Sequence, residues 1–214
     1  MAGLRERKKE QTRQRIAAVA LRLFIDHGFD SVTVNEIAEA AEVARATLFV
    51  YFPTKESLVL ADVAGDDLSE VVTARPPGIS FLAALRDHHR AIAARRLGQA
   101  ELDSLVTQVR VIHGSPALRA SAEALLYEQR QQLTRALALE YDANVAALMA
   151  AQVTASLLVL QESFFQLLLD GSSGEAASEA LADQVELAFD LLEHGLARTA
   201  VTGTGASTTK NERP

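Results

Sequence analysis

Cysteine and tryptophan are absent from the 214 residues, and proline occurs five times. Without cysteine there is no disulfide framework, no thiolate nucleophile and no cysteine-ligated metal site. Scarce proline and the lack of alternating Val, Ile and Thr runs leave the chain free for long helices and argue against strands. Catalytic motifs are missing as well: no Gly-x-Ser-x-Gly, no glycine-rich phosphate loop and no His-Glu-x-x-His. His88 and His89 are adjacent, so on a helix they point about 100° apart and do not chelate together. Asp190 and His194 have an i, i+4 spacing but are two ligands, too few for a metal case. No enzyme activity, metal or cofactor is expected.

What the chain does have is apolar bulk. Apolar residues make up 49%, rich in Leu and Ala, enough for a sizeable core in an all-α protein. The most apolar stretch, 145–169, is interrupted by Gln152, Gln161, Glu162 and Gln166, so it reads as a buried core helix rather than a membrane span. The start, "MAGLRERKKEQTRQR", has no apolar stretch behind its charges and is not expected to be a signal peptide. A cytoplasmic protein with no membrane partner is expected. Net charge is −7, yet residues 1–25 carry seven basic and two acidic side chains. An acidic body with a basic end can bind nucleic acid locally.

Helical spacing marks about nine helices. The first, 9–27, has Ile16, Ala20, Leu23 and Phe24 on one face and stops at Gly28. Thr33 and Glu36 make a capping box for a second helix with Val34, Ile37, Ala38 and Ala41 inward. Glu42-Val43 makes a turn, and a third helix spans 44–52 up to Pro53. A fourth is expected over 55–72. Further helices are expected at 79–96, 100–112, 116–141, 144–169 and 175–198, with breaks at "RPPG", "HGSP" and "DGSSG". The tail 199–214 has no apolar face and reads as disordered. Two helices of about eight residues are unstable alone. Braced by a longer first helix they form a helix-turn-helix, whose second member fits a DNA major groove.

The run "RIAAVALRLFIDHGFDSVTVNEIAEAAEVARATLFVYFPTKESL" resembles the DNA-binding domain of the TetR family of bacterial transcriptional regulators, across about residues 9–60. "GLRERKKEQTR" with "FVYFPTKE" also resembles an actinobacterial subgroup with acyl-CoA-type ligands. The resemblance implies a helix-turn-helix DNA-binding domain over 9–60, a helical ligand-binding and dimerisation domain over 61–198, and the tail 199–214. It implies a repressor that binds a near-palindromic double-stranded operator as a homodimer and releases it on binding a small hydrophobic effector. Thr33 would cap helix two and touch a phosphate. Arg45, Ala46 and Thr47 would lie where bases are read, and Tyr51 and Lys55 would clamp the backbone. Val43, Leu48 and Phe52 would be core. Arg5, Arg7, Lys8, Lys9 and Arg13 would form a basic arm along the duplex.

Three residues depart from the family pattern: Glu42 where glycine often turns, Ala44 where serine often caps, and Phe49 where tyrosine often donates to a phosphate. Phe49 would pack on the sugar-phosphate wall instead. For the effector, the resemblance leaves polar and aromatic candidates in an apolar helical setting: His88, His89, Gln108, Arg110, His113, Tyr127, Gln161 and Phe165. For the dimer, the last two helices offer Ala151, Leu158, Leu181, Val185, Phe189 and Leu192. The alternative is a helical dimer that serves as a structural module without specific DNA binding. Phe49→Tyr is predicted to leave DNA affinity equal or higher in a fluorescence anisotropy titration. A large loss would mean that this ring is wedged into the core.

Overall fold

The computed structural model describes residues 2–61 and 65–195, with the backbone alone at 2, 4 and 5. Among the described residues there are ten helices and no strand. The all-helical expectation holds. The helix count rises by one because the expected fourth helix is two elements.

Helix α1 runs Ala2–His27, seven residues earlier than the apolar spacing alone predicts. Residues 2–8 are mostly good helix formers, with nothing to interrupt propagation from the packed part. Ile16, Ala20 and Phe24 are buried, and Lys9 and Arg13 continue the same line toward the N-terminus. Gly28, at φ +82°, ends the helix, its N–H donating to the Phe24 carbonyl. Helix α2 (Val34–Ala40) has the expected capping box: the Thr33 hydroxyl accepts from the Glu36 N–H, and the Glu36 carboxylate accepts from the Thr33 N–H. The Thr33 backbone bond holds the Glu36 carboxyl below the usual carboxylate range.

Helix α3 (Arg45–Tyr51) follows within four residues. Glu42 makes the turn at φ 52°, the one non-glycine residue with positive φ among those described. The Val43 N–H reaches back to the Ala38 carbonyl and closes α2. Ala44 stands at the N-cap of α3 and supplies no side-chain bond. Leu48 and Phe52 are fully buried against Ile16, Ala20, Ile37 and Ala41. Lys55 braces this unit from below. Its ammonium donates to the carbonyls of Phe29 (2.9 Å) and Val32 (3.1 Å) and sits 4.2 Å from the centre of the Phe29 ring.

The expected helix over 55–72 is interrupted. Helix α4 is Ser57–Leu60, residues 62–64 lie outside the described set, and Gly65 has φ +74°. Helix α5 (Leu68–Thr73) starts afresh, with Asp67 capping Ser69 and Glu70. A left-handed glycine and a new cap mark a restart.

The larger body contains α6 (Phe81–Ala93), α7 (Gln99–Gly114), α8 (Pro116–Leu137), α9 (Ala143–Leu169) and α10 (Gly174–His194). Its core gathers Val72, Phe81, Leu85, Leu133, Ala150, Val153, Val185 and Phe189. Arg75 locks the "RPPG" turn: its guanidinium donates to the carbonyls of Val72 and Ile79 and to both oxygens of Glu140. Arg86 and Arg90 clasp α6 to α10 through Glu186, Asp190 and Glu193. Gly174 admits α7 at the start of α10, since a Cβ there would lie 2.5 Å from the Leu102 side chain. The first core also takes in Ile112 and Leu118, and the Ser115 hydroxyl donates to Asp30. The α7–α8 corner thus rests on the helix-turn-helix unit.

Two expectations about the last helices change. Val185 and Phe189 are buried in the chain's own core and are not free for a second subunit, while Leu181 and Leu192 are half-buried at its edge. Ala151 and Leu158 are half-buried. Nor is α9 a fully buried helix: 22% of its apolar window is buried, and Leu148 and Val159 on α9 and Leu187 on α10 face outward. By length and composition alone α9 could cross a membrane. The expected end of the last helix at 198, and the tail, lie outside the described residues.

Glu42→Gly is predicted to raise stability by about 1 kcal/mol, by removing a side chain from a left-handed backbone. Urea unfolding tests this; a loss would show that the Glu42 side chain contributes more than its strain costs. Lys55→Met should destabilise the protein by about 2 kcal/mol, because it orphans two carbonyls that now accept from a charged donor. A midpoint unchanged within about 0.5 kcal/mol, a typical exposed-surface effect, would remove the brace.

Candidate nucleic-acid interface

A seven-residue helix turning about 100° per residue shows all its sides within two turns. In α3 the buried side is Leu48. Ala46 and Val50 lie opposite it and form the outward ridge, and both are exposed. Arg45 and Phe49 flank the ridge on one side, Thr47 and Tyr51 on the other. Val50, 77% exposed, is the residue that sequence reading missed. "TLFVYF" is a block of bulky apolar side chains, and its residue types alone do not say which one points out. The turn angle measured from Leu48 would have found it.

The other expected residues divide by environment. Arg45 is exposed, its guanidinium 5.5 Å from the centre of the Phe49 ring, which holds the fork over an aromatic face. Phe49 and Thr47 are half-buried. Tyr51 is half-buried and packs against the first core. Thr33 is exposed, but its hydroxyl also donates to the Glu36 carboxylate at 2.7 Å. A carboxylate therefore already occupies the N-terminus of α2, where a phosphate was expected. Lys55 departs furthest from expectation. Its ammonium is spent on two loop carbonyls, which makes it a brace of the fold rather than a free clamp.

The basic start is part of helix α1. Arg13 lies with its guanidinium 5.4 Å from the centre of the Phe52 ring at the end of α3, and Lys9 is one turn beyond it on the same face. Arg7 and Lys8 are exposed. The side chain of Arg5 lies outside the described residues.

The eight effector candidates differ in exposure. Arg110 and His113 near the end of α7 are exposed, as is Tyr127 on α8, which stacks under Arg130 at 5.0 Å. Gln108 is buried on α7; Gln161 and Phe165 are half-buried on α9, and Phe165 packs beside Phe164. His88 and His89 on α6 are half-buried. His88 Nε2 lies 3.1 Å from Asp66 without hydrogen-bond alignment. His89 bonds the Leu85 carbonyl and packs on Phe189, and burial holds its pKa below the usual histidine value. Two surface grooves, one along α1 and one between α5 and α8, contain none of the eight.

Comparison with known proteins places this geometry. Residues 16–61 match the family of bacterial regulatory proteins, tetR family. The HTH-type transcriptional regulator TcmR of Streptomyces glaucescens is 32% identical over 143 residues, which cover 64% of this chain and 63% of TcmR, under two thirds of its length. A Mycobacterium tuberculosis protein named for regulating mycofactocin biosynthesis, MftR, is 28% identical over 194 residues, covering 90% of this chain and 94% of MftR. Among solved structures, native NalD, the secondary repressor of the MexAB-OprM efflux pump in Pseudomonas aeruginosa, superposes with a TM-score of 0.51 at 19% identity. That match covers 84% of this chain and 96% of NalD and reflects a shared fold. A capped short helix, a tight turn and a second short helix with an outward ridge therefore sit within a sequence whose relatives are regulators, and residues 16–61 form a domain of the tetR family of bacterial regulatory proteins.

Proposed function

We propose that the chain is a cytoplasmic, sequence-specific repressor that binds a near-palindromic DNA operator as a homodimer and is released by a small apolar effector. The observation that carries this is α3: Leu48 is fully buried while Ala46 and Val50 are exposed on the other side, with Arg45 exposed at the flank. That is the form of a helix entering the major groove, with a cation for guanine beside the ridge. The helical basic start adds phosphate contacts that position without reading sequence.

The dimer is proposed on the uncovered faces of α9 and α10, through Leu148, Val159 and Leu187, rather than on the stripe that includes Val185 and Phe189. Exposed apolar residues on a long helix are an expensive surface for a chain to leave in water. Ala151 and Leu158 lie at the edge of that face.

Effector coupling is proposed to run through the α7–α8 corner. The break at Gly65 makes the expected lever, a continuous helix from 55 to 72, unsuitable for transmitting a rigid-body shift. The corner instead touches both units: Ile112 and Leu118 lie in the first core, and Ser115 bonds Asp30. An apolar effector, of which an acyl-CoA-type ligand is one chemical class, would displace α7 and misalign the two copies of α3. Such coupling is worth about 1–3 kcal/mol.

Selection of binding sequences from random duplex DNA, at two salt concentrations, tests the reading. A palindromic winner whose affinity falls with salt is expected. No enrichment at either salt would defeat it and return the chain to a helical dimer without specific DNA binding.

A further inference from the structure

Four of the seven residues of α3 are bulky and apolar, and three of them have a packing role: Leu48 in the core, Tyr51 against it, and Phe49 beneath the Arg45 guanidinium. Val50 has none. It is 77% exposed, β-branched, and placed in a short helix where Val has no propensity advantage over a polar residue. It lies one turn after Ala46, also exposed, so the pair forms a two-step apolar ridge directly opposite Leu48. Arg45 and Thr47 sit beside this ridge, not on it.

A ridge that meets base edges with no donor or acceptor cannot read a hydrogen-bonding pattern. The one apolar feature that B-DNA presents in the major groove is the C5-methyl group of thymine. Ala46, with a single methyl, lets the helix axis approach closely, and Val50 then reaches further. We propose that Val50, with Ala46 beside it, is the specificity-determining contact to thymine methyl groups, so that each half-site carries thymine under the centre of α3 and any guanine read by Arg45 lies to one side. This rests on the DNA-binding function proposed above and adds the chemistry by which the centre of the half-site is chosen.

The test uses the full-length protein and its selected duplex, with each thymine replaced in turn by deoxyuridine, which removes the methyl and keeps the pairing. The wild-type protein should lose about fourfold in affinity per half-site at the position under Val50, the worth of roughly one buried methyl, and about 15-fold with both half-sites changed. Val50→Ala should bind the thymine duplex more weakly and lose most of its response to deoxyuridine, while Val50→Ile keeps it. Exposure of the side chain makes both variants compatible with folding, and the wild-type arm stands without them. A selected site that the wild-type protein binds equally well with deoxyuridine at every position would overturn this inference and leave the proposed function intact. The same holds if Val50→Ala keeps the full methyl dependence. Failure to select any sequence would overturn both.

Discussion

The burial of Leu48 and Phe52 is the constraint on which the rest depends. A seven-residue helix does not persist in water by its own hydrogen bonds, and α3 has no side chain at its N-cap to help. It exists because these two side chains fill the space between α1 and α2, where each is worth on the order of 2 kcal/mol of apolar burial. That anchoring also fixes rotation about the helix axis. Once Leu48 points in, Ala46 and Val50 must point out, and Arg45 must stand at the flank. The exposed ridge is thus a consequence of the core and not a separate invention. Lys55 serves the same end, tying down the loop that carries the α2 cap.

The helix-turn-helix unit is not self-contained. Its core borrows Ile112 and Leu118 from the α7–α8 corner, while its chain connection to α5 passes through a restart at Gly65. The two units therefore meet through packed side chains as well as through the chain itself. The larger body is held at its far side by Arg86 and Arg90 against the acidic face of α10. Exposed ion pairs contribute little individually, but Arg86 is mostly covered and also lies over the Phe189 ring at 5.9 Å, so this clasp fixes the register of α6 on α10.

Helix α9 draws the two scales together. Its apolar composition exceeds what the rest of the chain covers, so Leu148 and Val159, which look like core by residue type, stay exposed. Composition alone reads such a helix as buried; only the arrangement of α8 and α10 around it shows which side is left open.

The sequence by itself determined the elements: the all-helical class, the Thr33–Glu36 cap, the Gly28 stop and the turn at Glu42-Val43. These are local rules, written in spacing, caps and breakers within a few residues, and the family resemblance added the missing cap at Ala44 and the core role of Leu48 and Phe52. Tertiary structure decided which face of a helix meets what. It turned Val185 and Phe189 inward, gave Lys55 two carbonyls 23 and 26 residues away in the chain, broke the expected fourth helix and brought Val50 to the outside. An apolar residue has the same pattern whether its neighbour is its own core, a second subunit or a base, and a long cation has the same charge whether it meets a carbonyl or a phosphate. Choosing between them needs the positions of residues distant in sequence, which local spacing does not encode.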